Sequence, residues 1–298
     1  MKKIILALTV LTSIHCFAST LNIYFPRFDI NVDPQTMIDA RSMQVNLQIH
    51  RGLFRYLPNG QVKSDLVSKW EFSPDKKIFK VKLKNAIFSD GTPIKAKHVV
   101  NSFVRMFVIE SSMSADLNGI LGSQKMKTAK DLKTFGVQAI GDLDVEFRLE
   151  KANAIFLQQL ATADCAILPI NDVNTEIFGT KPWVPKEGAG PYKIIKKSED
   201  ELILKKWRKD EFETTNPPDQ IHIFLTKETS AQILVDTIKT DSLDQAVVSK
   251  SEKMKLVTNG WTEFVTDLTR EHFLILNPEK ISDELRKQLT ISLDQKAV

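Results

Sequence analysis

Cysteine and histidine, from which most metal centres and many nucleophile–base pairs are built, are scarce here: two cysteines and five histidines in 298 residues. His15, His50, His98, His222 and His272 form no H-E-x-x-H and no pair at metal-ligand spacing, so no metal site is expected. No G-x-S-x-G occurs, and the carboxylates are scattered, with no two marked as a general acid and base. Ser73-Pro74-Asp75-Lys76 spells S-x-x-K, but that motif needs a helix start beside two partner motifs, and Pro74 suits a hairpin turn. Gly188-x-Gly190 falls short of a phosphate loop, because Pro191 removes an amide donor and no helix follows. These absences argue against an enzyme and against a bound cofactor. An excess of charge is missing too. Forty-one basic against 37 acidic residues leave +4, too little to argue for nucleic acid or an anionic membrane as partner.

Long apolar runs are absent after the first twenty residues. Met1-Lys2-Lys3 followed by Ile4 to Ile14 has the basic start and short greasy segment of a secretory leader, too short to span a bilayer. Small residues at Cys16 and Ala18 place cleavage after Ala18. A lipid anchor on Cys16 would need a very small residue where His15 stands, so an exported, soluble protein is the expectation. Loss of Lys2 and Lys3 takes two units from the formal charge. Only Cys165 then remains, which rules out an intrachain disulfide; lying in Cys165-Ala166-Ile167-Leu168, it reads as a small buried hydrophobe.

What is present is periodicity. Phe79, Val81 and Leu83 alternate with Lys80, Lys82 and Lys84, the signature of a strand with one dry face. Its lysine row reads as a solvated face rather than a nucleic-acid patch. Trp70-Glu71-Phe72 is a second strand, joined to the first through the turn at Ser73–Lys76. After the break at Ser89-Asp90-Gly91-Thr92-Pro93, Val99, Phe103 and Phe107 form the stripe of a packed helix. Elsewhere, strands are expected at 21–25, 166–168, 202–204, 221–225, 246–248, 261–265 and 273–276, with a hairpin over 136–149. Helical stretches are expected at 42–50, 130–135, 155–160, 231–238 and 281–298. Gly52 and Gly60 read as turn residues with positive φ. The alternation is of α/β type.

The block Phe88-Ser89-Asp90-Gly91-Thr92-Pro93-Ile94-Lys95-Ala96-Lys97-His98 follows a lysine-studded strand and a Trp-Glu-Phe-Ser-Pro-Asp hairpin. It resembles the signature of the family 5 extracellular solute-binding proteins, the oligopeptide- and dipeptide-binding components of bacterial ABC importers. Asp33-Pro34, Gly52-Leu53-Phe54, Pro58-Asn59-Gly60 and Gly188-Ala189-Gly190-Pro191-Tyr192-Lys193 match the family in order. The resemblance implies a type II periplasmic-binding-protein-like α/β fold in which an accessory α/β domain is inserted into a first lobe. It divides the chain into a leader (1–18), a first-lobe segment (19–44), the accessory domain (45–183), a return to the first lobe (184–270) and the start of a second lobe (271–298). The rest of that second lobe is not among these residues, so an N-terminal portion of the family's architecture is expected, with weaker binding than a two-lobed clamp gives.

The resemblance further implies a small peptide ligand, an inner-membrane ABC permease as partner, a periplasmic location and a monomer. The alternative is a remnant or interaction protein of the same fold that binds no solute. Ligand contacts are expected from two places: Arg27, Phe28 and Asp29 in the loop after the first strand, and His272, Phe273 and Asn277, where the family's cleft strand carries aromatics. Arg27 and Asp29 would pair with peptide termini, and Phe28 and Phe273 would offer apolar wall. Two departures from the family pattern stand out. Lys95 and His98 occupy the places of a capping box, a loss of roughly 1 kcal/mol, and Lys76 sits in a tight turn where the family favours Gly.

Overall fold

The alternation at 78–83 becomes an inner strand of one of two four-stranded sheets. The computed structural model describes residues 19–25, 29–179, 185–208, 217–225, 231–236 and 248–263. In chain order these contain β1 (Thr20–Tyr24), α1 (Ala40–Ile49), β2 (Phe54–Tyr56), β3 (Val62–Ser64), β4 (Val67–Phe72), β5 (Ile78–Leu83) and α2 (Ala96–Val108). There follow β6 (Val137–Ala139), β7 (Asp144–Arg148), α3 (Phe156–Leu160), α4 (Val173–Glu176), β8 (Tyr192–Lys197), β9 (Glu201–Lys206), β10 (Gln220–Phe224), α5 (Ala231–Asp236) and α6 (Lys250–Thr258). None of the helices among the described residues is long and apolar enough to cross a membrane.

One sheet has the order β4-β5-β7-β6, antiparallel throughout. The dry face of β5 is buried, and Phe79 gathers the rings of Phe54, Phe72, Phe147 and Phe156 at centroid distances of 4.4–6.0 Å. Edge-to-face and tilted contacts of this kind add to the large apolar area that each ring removes from water. On the wet face, Lys80 lies opposite Glu146 and Lys82 opposite Asp144, with charge separations of 3.6 and 3.8 Å. The lysine row is therefore answered by acids on β7, pairs worth little for stability at the surface. Helix α2 buries Val99, Phe103 and Phe107 against this sheet.

The expected loss of the α2 cap is half corrected by His98. Its Nδ1 accepts the Lys95 backbone N–H at 3.0 Å, the job a glutamate does in a capping box. Nε2 of the same ring faces Asn171 Oδ1 at 3.2 Å, which fixes the neutral tautomer with the proton on Nε2. Lys95 itself supplies no side-chain acceptor. Lys76 takes φ of 58°, the left-handed turn conformation that glycine adopts without strain.

The second sheet has the order β1-β10-β9-β8. β1 runs parallel to β10, with Thr20 opposite Gln220, so its first strand is paired with chain some 200 residues later. Buried Leu202, Leu204, Ile221, Ile223 and Tyr192 pack with Val45 and Ile49 of α1 into a separate core. Gly188 and Gly190 are needed where this sheet meets α1: the Gly190 N–H donates to Ile49 O at 2.7 Å, and a Cβ on either glycine would strike the carbonyls that end the helix.

Three local expectations are corrected. Ala166–Leu168 is buried but makes a single bridge to Gly52 rather than a strand. Gly52 does not have positive φ, as Gly60 does at 79°; it is required because a Cβ would lie 3.1 Å from Phe54 O and 3.3 Å from Cys165 O. Residues 261–263 are not a strand, nor is Val248; the rest of the strands expected at 246–248 and 261–265, the strand at 273–276 and the helix at 281–298 lie outside the described residues. The residues from Ser249 are grouped as a second unit, whose described part is 249–263 with α6 in it. A reciprocal box opens that helix: the Glu252 N–H donates to Ser249 Oγ at 3.3 Å and the Ser249 N–H to Glu252 Oε2 at 3.1 Å.

Candidate functional site

Between β1 and α1 the chain makes a loop whose described residues, 29–39, are mostly buried or half-buried. Ile30, Val32, Asp33, Gln35 and Met37 are buried, although two of the five, Asp33 and Gln35, carry polar groups that must find partners. They do find them. Asn31 Oδ1 accepts the Asp33 N–H and Asp33 Oδ1 the Gln35 N–H, each at 3.0 Å, two successive side-chain turns that set the loop's shape. Asn46 of α1 donates to Asn31 O at 2.7 Å, Ser42 Oγ accepts the Asn31 N–H at 3.0 Å, and Lys197 of β8 donates to Ile30 O at 2.8 Å.

The principal brace comes from α2. Arg105, buried, donates through Nη1 to Asp33 Oδ1 at 3.1 Å and to Gln35 Oε1 at 2.7 Å, while Nη2 donates to Asp33 Oδ2. Gln35 in turn donates to Ser102 O at 2.9 Å. A forked guanidinium on both carboxylate oxygens is the geometry that fixes orientation as well as charge.

Against this inward use, Ile38 stands 95% exposed. It precedes Asp39, whose carboxylate caps α1 by accepting the Arg41 and Ser42 N–H groups at 3.0 and 2.8 Å. Ile109, the residue that follows α2, is also exposed. A loop that buries Asp33 and Gln35 in hydrogen bonds and leaves Ile38 exposed presents apolar surface beside the polar Asp29 and Thr36.

His50, just past α1, lies beneath this region. Its Nε2 faces Val32 O at 3.2 Å, and its Nδ1 is buried with no hydrogen-bond partner among the described residues. Burial, opposed weakly by Val32 and Asp33, lowers its pKa to about 4, and burial likewise lowers that of His98. Both rings are thus neutral in the fold and protonate more readily once unfolded. Stability is fully present above pH ~6.5 and is lost as pH falls towards the folded values. For His50 the loss by pH 4 is on the order of 3 kcal/mol. Urea unfolding at a series of pH values should give a midpoint flat above pH ~6.5 and falling steadily below it; a flat acid limb would contradict the assignment.

Of the residues proposed from sequence, Asp29 is exposed at the start of the loop. Arg27, Phe28, His272, Phe273 and Asn277 lie outside the described residues. Ile38 and Arg105 were missed. An isoleucine beside Met37 reads as core, and an arginine in an amphipathic helix reads as solvent-facing. The available signal was the capping pattern at Asp39, which places Ile38 outside the helix. Among the described residues no three His, Cys, Asp or Glu side chains come together as a metal site.

Comparison with known proteins places this architecture. A probable D,D-dipeptide-binding periplasmic protein of Escherichia coli, DdpA, is 32% identical over 143 residues, which is 46% of this chain and 25% of that protein. The periplasmic murein peptide-binding protein MppA of the same species is 26% identical over 184 residues, 58% of this chain and 33% of that one. Among solved structures, peptide-bound OppA of Listeria monocytogenes superposes with a TM-score of 0.65 at 19% identity, covering 82% of this chain and 49% of that one. Unliganded, open MppA gives 0.63 at 21%, with 82% and 48% covered. The chain thus spans a quarter to a third of these curated relatives and about half of the solved ones. The fold is that of the type II periplasmic binding proteins. Residues 61–297 match the profile described as bacterial extracellular solute-binding proteins, family 5 Middle, and with that match covering most of its length the chain belongs to the family 5 solute-binding proteins, which bind rather than catalyse.

Proposed function

We propose that this chain acts in the periplasm as the substrate-binding component of an ABC-type peptide importer, handing small peptides to an inner-membrane permease as a monomer. The single observation that carries the reading is the braced loop at 29–39, which buries Ile30, Val32, Asp33, Gln35 and Met37 and leaves Ile38 exposed. The relatives named for dipeptide and murein peptide binding, and the solved structure bound to peptide, support a peptide as the ligand class. In this reading the first lobe is built from 19–44 and 184–270, the accessory domain from 45–183, and the second lobe begins at 271. Ile38 forms apolar wall, and Asp29, with Arg27 and Phe28 beside it, meets the ends or side chains of the peptide. His272, Phe273 and Asn277 complete the contact set. A clamp of this kind buries its ligand between two lobes, and Ile38 belongs to the wall of the first.

Titrating a pool of di- to pentapeptides while following tryptophan fluorescence tests this. A saturable change in the wild-type chain, weakened about tenfold or more in Ile38→Asp, is the expected result, since a charge would then have to be desolvated against the ligand. Silence in the wild type supports the second reading, a remnant of the fold without a solute.

A further inference from the structure

Three asparagines precede a glycine in this chain, Asn59-Gly60, Asn118-Gly119 and Asn259-Gly260, and the fold treats one pair differently. At 57–60 and at 257–260 the glycine is the fourth residue of a turn. Its N–H closes that turn, donating to Leu57 O at 2.9 Å in the first case and to Val257 O at 3.1 Å in the second. Asn59 is tied further, since its Oδ1 accepts the Gln61 N–H at 3.1 Å. Asn118 and Gly119 instead are the two central residues of a turn that the Ile120 N–H closes on Leu117 O at 3.0 Å. The N–H of the third residue plays no part in closing such a turn, and that of Gly119 has no hydrogen-bond partner among the described residues. The Asn118 side chain is exposed, and nothing lies within 4 Å of the place where a Cβ on Gly119 would stand. The surroundings of the turn are fixed: Leu117 and Ile120 are buried, and Gly119 O accepts the Glu150 N–H at 2.9 Å.

We propose that Asn118 is a site of spontaneous covalent modification, the Asn-Gly pair that the folded chain leaves open to cyclisation while its turns shield the other two. The Gly119 backbone nitrogen, losing its proton to solvent base, attacks Asn118 Cγ. A C–N bond forms and closes a succinimide ring, the Cγ–Nδ2 bond breaks, and the side-chain nitrogen leaves as ammonia with a proton taken from water. Water then adds to either imide carbonyl and opens the ring, leaving aspartate or isoaspartate at 118. The co-reactant is water alone. Glycine in second place permits the approach because it has no Cβ. Where its N–H already donates to a carbonyl, that bond must be given up and the turn opened before attack. Isoaspartate routes the main chain through the former side-chain carbon, which adds a methylene between the 118 Cα and Gly119. The added length falls just before buried Ile120 and beside the Glu150 bond, so the isoaspartyl form is the less stable product.

Trypsin places the three pairs in separate peptides, 56–63, 106–125 and 256–270, so each can be followed by mass spectrometry in one sample. After incubation of the folded chain in warm, mildly alkaline buffer, peptide 106–125 should convert to aspartyl and isoaspartyl products about fivefold or more faster than the other two. In urea the three rates should draw together, because the turns that shield Gly60 and Gly260 are gone. Gly119→Ala should slow the conversion sharply without lowering the melting temperature. The acidic fraction of aged protein, part aspartyl and part isoaspartyl, should melt below Asn118→Asp, which carries the same charge. Conversion of 106–125 no faster than that of the other peptides in the folded chain overturns the proposal. So does a lead that persists undiminished in urea, since the cause would then be the flanking sequence. An acidic fraction that melts together with Asn118→Asp overturns the loosening of the turn.

Discussion

Arg105→Met is expected to lower unfolding stability by about 3–5 kcal/mol, because it leaves the Asp33 carboxylate buried without its counter-charge. Both members of the pair are buried, and Gln35 loses its donor in the same step. Such a loss is a large part of the total stability of an ordinary domain. Replacing both partners, Asp33→Leu with Arg105→Met, should return much of it, because no stranded charge then remains. Denaturant unfolding of the two single variants and the double measures the difference. The double variant also separates stability from function. With the fold restored but the fork gone, the loop that displays Ile38 is no longer aimed by α2, and peptide affinity should stay low.

Gly190→Ala is the second large effect, expected at about 3 kcal/mol, the upper end of overpacking penalties. A Cβ at 190 would lie 2.5 Å from the carbonyl carbon of Ile49, and one at 188 would lie 2.9 Å from His50 Nδ1. The obstacle is backbone at the end of a helix, which cannot swing aside as a side chain can. The same seam carries the Gly190 N–H bond to Ile49 O, the Trp207 indole bond to Gly190 O at 2.7 Å and the Ser89 N–H bond to Gly188 O at 2.9 Å. The Gly-Ala-Gly-Pro-Tyr stretch thus joins α1, the loop before α2 and the β9 exit at one point. Gly119→Ala is the control. With nothing within 4 Å of its Cβ position and φ outside the left-handed region, it should be neutral or slightly stabilising. Thermal melts of the three proteins suffice.

Local order was legible in the residues because it obeys periods of two and of about 3.6. Phe79-Val81-Leu83 and Val99-Phe103-Phe107 sit where their spacing puts them. Pairing across distance was not legible. Nothing near Thr20 names Gln220 as its parallel neighbour, and nothing in Asp33 names Arg105, 72 residues away, as its counter-charge. His98 shows a subtler limit: by residue type it is a poor third residue for a helix cap, yet its neutral ring accepts the N–H that a glutamate would take. Ile38 was hidden for the opposite reason, since hydrophobicity predicts burial on average and says little of the one apolar side chain a loop holds out.

Hydrogen–deuterium exchange of the chain with and without a saturating peptide pool tests the central claim most directly. Slowed exchange concentrated in residues 29–39, with β4 and β5 unchanged, is the result predicted for a ligand lying against the Ile38 wall. Saturable binding that leaves 29–39 exchanging at its free rate would show that the braced loop is scaffold and that the solute is held elsewhere.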